Sequence, residues 1–225
     1  MTKKCNVIVV ANQKGGTGKT TTTENVGIGL ANQGNIHHEE QIDLIPSNIE
    51  LADFELKLVS VMNRERVLDM CLSPLKQHYD YILIDCPPSL GMLTINALSA
   101  ADNILIPVQA QYLPAKGMTK LLNTISKVKH QINPKVDILG VAITLANMQT
   151  NLGKSTVETI RENYGKHIKV FNSIIPIGVK AAETSVSGKS VYQHAKDSNV
   201  AKAYEDLTKE ITKIERSKHK GTPER

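Results

Sequence analysis

Residues 14 to 22 read Lys-Gly-Gly-Thr-Gly-Lys-Thr-Thr-Thr, a spacing suited to phosphate chemistry. Gly15, Gly16 and Gly18 let the backbone approach an anion closely, and Lys19 and Thr20 follow at once. A short β-branched run, Asn6 to Ala11, comes before the loop, and a helical pattern, Thr20 to Gln33 with Gly34 as its stop, comes after. Strand, loop and helix in this order surround a phosphate chain with unpaired N–H groups and the positive end of a helix dipole. Lys19 is then expected to reach the β and γ phosphates, and the Thr20 hydroxyl to help hold Mg²⁺. The strict pattern G-x-x-x-x-G-K-[ST] fails only at its first position, where Gln13 stands and Lys14 follows.

A second acidic signal lies in Tyr79-Asp80-Tyr81-Ile82-Leu83-Ile84-Asp85-Cys86-Pro87-Pro88-Ser89. An aspartate at the carboxyl end of a parallel strand beside the loop can hold Mg²⁺ through water, which makes Asp85 a metal candidate alongside Thr20. The cluster His37-His38-Glu39-Glu40 reads instead as a polar surface loop, because adjacent histidines point in different directions on regular backbone. Cys5, Cys71 and Cys86 are odd in number and scattered, which suits reduced thiols rather than a disulfide framework or a zinc site.

Positioning these groups requires a layered scaffold. Apolar runs recur at Ile42 to Ile45, Tyr81 to Ile84, Asn103 to Val108, Ile138 to Thr144 and Lys169 to Ile175. Helical patterns fall between most of them, at Leu51 to Val61, Arg64 to Gln77, Met92 to Ala100, Met118 to Gln131 and Ser155 to Tyr164. This alternation predicts an α/β layer fold with a mostly parallel sheet. The last element, Asn199 to Ile214, repeats apolar residues at helical spacing, and the expected division is a domain over 1–214 and a basic, disordered tail over 215–225.

The chain has 225 residues, 40% hydrophobic and 22% charged, enough for one domain with a sizeable core. Its apolar stretches are too short to cross a bilayer, and the expected location is the cytoplasm. The net charge of +5 is unevenly placed. Lys116, Lys120, Lys127 and Lys129 lie in an acid-free stretch from Leu113 to His130, and basic residues gather again after Lys213. Both groups could face phosphates or simply form solvated surfaces.

Lys-Gly-Gly-x-Gly-Lys-Thr-Thr resembles the deviant Walker A motif of the ParA, MinD and nitrogenase iron protein superfamily, with Thr17 where that family more often has valine. Asp85 and its Pro-Pro turn resemble the family's Walker B strand. The resemblance extends through Ser89 to Leu98, Ile106 to Gln109, and Ile175-Pro176 with Val179, Lys180, Ala182 and Glu183, as in ParA proteins of the Soj type. It implies a three-layer P-loop NTPase that binds ATP and Mg²⁺ through Lys14, Gly15, Gly16, Thr17, Gly18, Lys19, Thr20 and Thr21, with Lys14, Lys19 and Asp85 serving hydrolysis. Lys14 would reach across an ATP-sandwich homodimer, and Pro176 would lie near the adenine. Relatives bind DNA nonspecifically and are stimulated by a ParB-type partner. The resemblance therefore suggests a nucleoid-associated protein with DNA contacts at Lys116, Lys120, Lys127, Lys129 and Lys180, serving plasmid, mobile-element or chromosome partitioning.

One part of the family pattern is missing. Intact relatives follow the loop helix with a strand bearing Asp-x-Asp-Pro-Gln and then a further helical stretch, whereas here Gln33-Gly34-Asn35-Ile36 runs straight into the His-His-Glu-Glu segment. A strand with its return connection needs on the order of 30 residues, so one strand-helix unit is expected to be deleted after residue 34, leaving hydrolysis impaired. The alternative is a nonhydrolysing nucleotide- and DNA-binding remnant. A MinD-like membrane helix finds no support in Glu215 to Arg225, and the cysteines do not match an iron-sulfur arrangement. A small-molecule ligase or kinase is a third reading.

Overall fold

The computed structural model describes residues 5–33, 42–110, 115–178, 184 and 188–220, with no side-chain description at 115, 116 and 218–220. Among the described residues five strands form the sheet: β1 (Asn6–Val10), β2 (Tyr81–Asp85), β3 (Asn103–Gln109), β4 (Asp137–Ala146) and β5 (Val170–Pro176). Every pairing is parallel, in the order β2-β1-β3-β4-β5. A parallel sheet must be covered on both faces, and its inner strands accordingly read as unbroken apolar runs. Val7 to Val10 and Ile104 to Ile106 are fully buried.

The helices are α1 (Lys19–Asn32), α2 (Glu50–Lys57), α3 (Val67–Leu72), α4 (Met92–Ala100), α5 (Ala115–Gln131), α6 (Asn151–Tyr164), α7 (Val191–His194) and α8 (Asn199–Lys220), and all but α2 help cover the sheet. On one face, Ala97 and Leu98 of α4, Met118, Leu121, Ile125 and Val128 of α5, and Val157 and Ile160 of α6 pack against Val9, Ile104, Ile106 and Ile143. On the other, Val26 and Leu30 of α1 and Val200, Tyr204, Leu207 and Ile211 of α8 meet Ile8, Val10, Leu105 and Phe171. The three-to-four-residue spacing within α5 and α8 turns one stripe of each helix inward. Each such buried Val, Leu, Ile, Phe or Met side chain contributes roughly 1.5–3 kcal/mol over its exposed state.

The structure differs from the sequence reading in two places. Ile42 to Ile45 is not a strand; it is exposed coil, with Leu44 at 80% exposure. An apolar run needs a neighbour to pair with, and this one has none among the described residues. The last helix also passes Ile214 and continues to Lys220. Glu215 within it is buried and accepts hydrogen bonds from Asn6 Nδ2 and the Tyr81 hydroxyl, so the body extends beyond the expected boundary at 214. Gly34, the His37-His38-Glu39-Glu40 cluster, Val179, Lys180, Ala182 and Glu183 lie outside the described residues.

Candidate functional site

Ala11 and Asn12 carry the buried end of β1 into the loop, and the Ala11 N–H donates to Leu105 O at 3.2 Å. Asn12 Nδ2 donates to Pro107 O on β3 at 2.6 Å, while Asn12 Oδ1 accepts from the Lys14 N–H at 3.0 Å. The loop's entrance is thereby fixed to the adjacent strand. Gly16 and Gly18 adopt φ of 70° and 75°, left-handed values that favour glycine. Nothing lies within 4 Å of where a Cβ would stand at Gly15 or Gly16, so the space above the loop is open. Gly18 caps α1 and has no side chain to offer its first N–H groups, which are left for an anion.

Lys19 is only 7% exposed, and its Nζ donates to Lys14 O at 3.1 Å. Burial pushes its pKa down, opposed by the nearby Asp85 and Cys86. The Thr20 hydroxyl donates to Asp85 Oδ2 at 2.6 Å. The Asp85 pKa is raised, chiefly by desolvation, although the Thr20 hydrogen bond and Lys19 pull against it. Next to it, burial and then Asp85 push the Cys86 thiol up to about 12, which leaves it neutral and makes it a packing group.

The residues present fit a phosphate and a hard cation. A buried ammonium gains from an anion that shares its dry surroundings, and the oxygens of Thr20 and Asp85 are the donors Mg²⁺ prefers. Thr21 occupies the first turn of α1. Pro176 ends β5 in register with Ala146 of β4, and Thr144 of β4 donates to Thr17 O at 2.8 Å. Pro176 therefore sits at the same carboxyl edge of the sheet as the loop, where open α/β sheets bind ligands. Lys14 is half-buried.

The basic candidates divide. Lys120 and Lys127 are exposed on α5, whereas Lys129 pairs with Asp137 at 3.3 Å across the start of β4. That contact partly neutralises one member of a stretch that looks acid-free in the sequence. The side chain of Lys116 and all of Lys180 lie outside the described residues. Asp43 accepts from the Tyr79 hydroxyl at 2.6 Å, and Asp53 is exposed on α2. No group of three or more His, Cys, Asp or Glu that could hold a metal occurs among the described residues.

Sequence reasoning missed Asn12 and Thr144. Asn12 adjoins the motif and had a local signal. Thr144 had none, since its contact spans 127 positions.

A family model described as an AAA domain matches residues 35–138, a stretch that includes Asp85. The chain is 36% identical to the sporulation initiation inhibitor protein Soj of Bacillus subtilis, over 91% of this chain and 97% of that protein. That alignment runs over 248 positions, of which this chain supplies about 205. The chromosome partitioning protein ParA of Myxococcus xanthus is 34% identical, over 92% and 88%. Among solved structures, cobyrinic acid a,c-diamide synthase of Mycobacterium smegmatis with bound ADP and magnesium superposes with a TM-score of 0.80 at 28% identity, over 95% of this chain and 96% of that one. A putative plasmid partition protein of Borrelia burgdorferi bound to AMPPNP gives 0.71 at 20% identity, over 94% and 100%, a likeness of fold.

Proposed function

The chain belongs to the Soj/ParA family of partitioning ATPases, and on that premise we propose that it binds ATP and Mg²⁺ at the phosphate loop and nonspecific DNA as an ATP-sandwich homodimer. Its hydrolysis is impaired by the loss of one strand-helix unit after residue 34. The observation that carries the nucleotide reading is the buried Lys19 ammonium beside the Thr20–Asp85 pair, under an open glycine crest. Backbone N–H groups and Lys19 hold the phosphates, Thr20 and Asp85 hold the cation, and the cation neutralises charge on the phosphate oxygens. Lys14 reaches the partner's nucleotide, Pro176 meets the base, and Lys120 and Lys127 contribute phosphate contacts to DNA. A ParB-type protein is the partner, and the protein acts in the cytoplasm on the nucleoid.

Two features support the deletion. The alignment with Soj contains about 40 positions for which this chain has no residue. Among the described residues the Asp85 strand β2 is also the sheet's edge, although Ile82, Leu83 and Ile84 form the apolar run of an inner strand and are only half-buried. Phosphoryl transfer depends on placing the metal and the attacking water, so losing the acidic strand lowers turnover while the phosphate contacts persist.

A fluorescent ATP analogue titrated with Mg²⁺ tests the site. Lys19→Ala is expected to weaken binding about 100-fold, and unchanged affinity would remove the assignment. In a DNA titration, affinity should fall steeply with salt. The likeness to cobyrinic acid a,c-diamide synthase favours a second reading, a small-molecule ligase. That reading predicts nucleotide binding without DNA binding.

A further inference from the structure

The phosphate loop is held from below as well as at its entrance. Thr144 of β4 is 1% exposed, and its hydroxyl donates to the carbonyl of Thr17, itself 1% exposed, at 2.8 Å. A Cβ at Gly18 would stand 4.0 Å from Thr144 Cβ, so the threonine packs directly under the glycine that must keep φ at 75°. The next residue, Leu145, has φ of 50°, a left-handed value rare for a side-chain-bearing residue. The pairing of β4 with β5 changes register at this point, between Ile143 and Ala146. β4 therefore leaves its regular pleat just where it supports the loop.

We infer that Thr144 is a positioning residue for nucleotide binding, aiming the Thr17–Gly18 peptide so that the Gly18 N–H faces the phosphates. The peptide unit is planar and trans, so its C=O and N–H point in opposite directions. With the Thr17 carbonyl tied down to the Thr144 hydroxyl, the Gly18 N–H points away from the sheet, toward the open side of the loop. Without that hydroxyl the buried carbonyl has lost its donor, and the peptide turns to seek another. The rotation would take the Gly18 N–H away from the phosphates. Asn12 performs the corresponding task at the entrance, where it accepts from the Lys14 N–H, so β3 and β4 each orient one end of the loop.

This inference rests on the proposed nucleotide site, and Lys19→Ala separates the two. The test measures affinity for the fluorescent ATP analogue with Mg²⁺, together with the unfolding midpoint with and without nucleotide. The variants are Thr144→Val, Thr144→Ala and Thr144→Ser. Thr144→Val and Thr144→Ala should bind about tenfold more weakly and show a smaller nucleotide-induced rise in midpoint. Thr144→Ser, which keeps the hydroxyl, should bind within about twofold of the parent, a rescue that a packing role would not give. Parental affinity in a folded Val or Ala variant, with Lys19→Ala impaired, would overturn the role of Thr144 alone. Equal weakening in Ser and Val would also overturn it, pointing to packing. Parental binding by Lys19→Ala would instead remove the nucleotide site and this inference with it.

Discussion

The carboxyl ends of β1, β3 and β4 and the segment 42–62 are built in opposite ways. Around the phosphate loop, buried polar groups are tied across strands, Asn12 to Pro107 and Thr144 to Thr17, and the exposed Thr20 hydroxyl is tied to Asp85 at the end of β2. Residues 42–62, by contrast, carry Leu44, Ile45, Ile49, Leu56, Val59 and Met62, all at least 69% exposed. Helix α2 in that segment buries no residue. It is held by Glu55, which accepts from the Leu93 N–H at 3.2 Å beside Gly91 at the start of α4, and by the buried Leu58 just beyond it. The contrast teaches that one fold can brace one part of a site tightly and leave a neighbouring segment loosely held. The loop proposed to hold phosphate is tied to the neighbouring strands β3 and β4, while the segment 42–62 is thinly attached.

The largest effect should come from truncating one residue in each region. Ile104→Ala, at a fully buried position on β3, is expected to cost about 3 kcal/mol in urea unfolding. Leu56→Ala, at 74% exposure, should stay within about 0.5 kcal/mol. A cost above about 2 kcal/mol for Leu56→Ala would mean that the outer segment packs more firmly than its exposure indicates.

A smaller effect tests the polar ties at the far side of the sheet. Glu210 of α8 accepts from the N–H groups of Asn172 and Ser173 and from the Ser173 hydroxyl. Burial would raise its pKa, but these hydrogen bonds and Lys169 outweigh it and hold the carboxyl below the ordinary glutamate value. A depressed carboxylate pKa adds stability that is complete above the unfolded value and lost as pH falls through the folded one. Glu210→Gln should therefore cost about 1 kcal/mol at neutral pH. The gap from the parent should narrow on acidification below pH 4.5. A gap that persists in acid would mean that the carboxylate charge contributes nothing.

The smallest effect concerns Leu145, whose φ of 50° suits glycine better. Leu145→Gly relieves that strain but loosens the unfolded chain, so the net change in thermal unfolding should lie within about 1 kcal/mol. A loss of several kcal/mol would show that the leucine side chain, and not the backbone turn, secures the end of β4.

Much of this was legible in sequence because its signals are local. The glycine loop, the β-branched run before it and the apolar strand ending at Asp85 each declare themselves within about ten residues, and the fold brings them together. Alternating strands and helices gave the layer fold, and all five strands proved parallel. What escaped depends on distant partners. Ile42 to Ile45 has the composition of a strand and nothing to pair with among the described residues. Lys129 looked like a free cation until Asp137 met it from β4. The tail looked loose because no pattern reveals that Glu215 reaches Asn6 and Tyr81. Thr144 was one more polar residue near a strand's end until its hydroxyl was found on the loop.

The central claim is that this family member keeps its nucleotide grip and has lost efficient turnover. It is tested most directly by measuring phosphate release per bound ATP, with Mg²⁺, saturating DNA and a ParB-type partner. The account predicts a rate near background in every combination, from protein that binds the nucleotide and depends on Lys19 to do so. Robust turnover stimulated by DNA and the partner would contradict it.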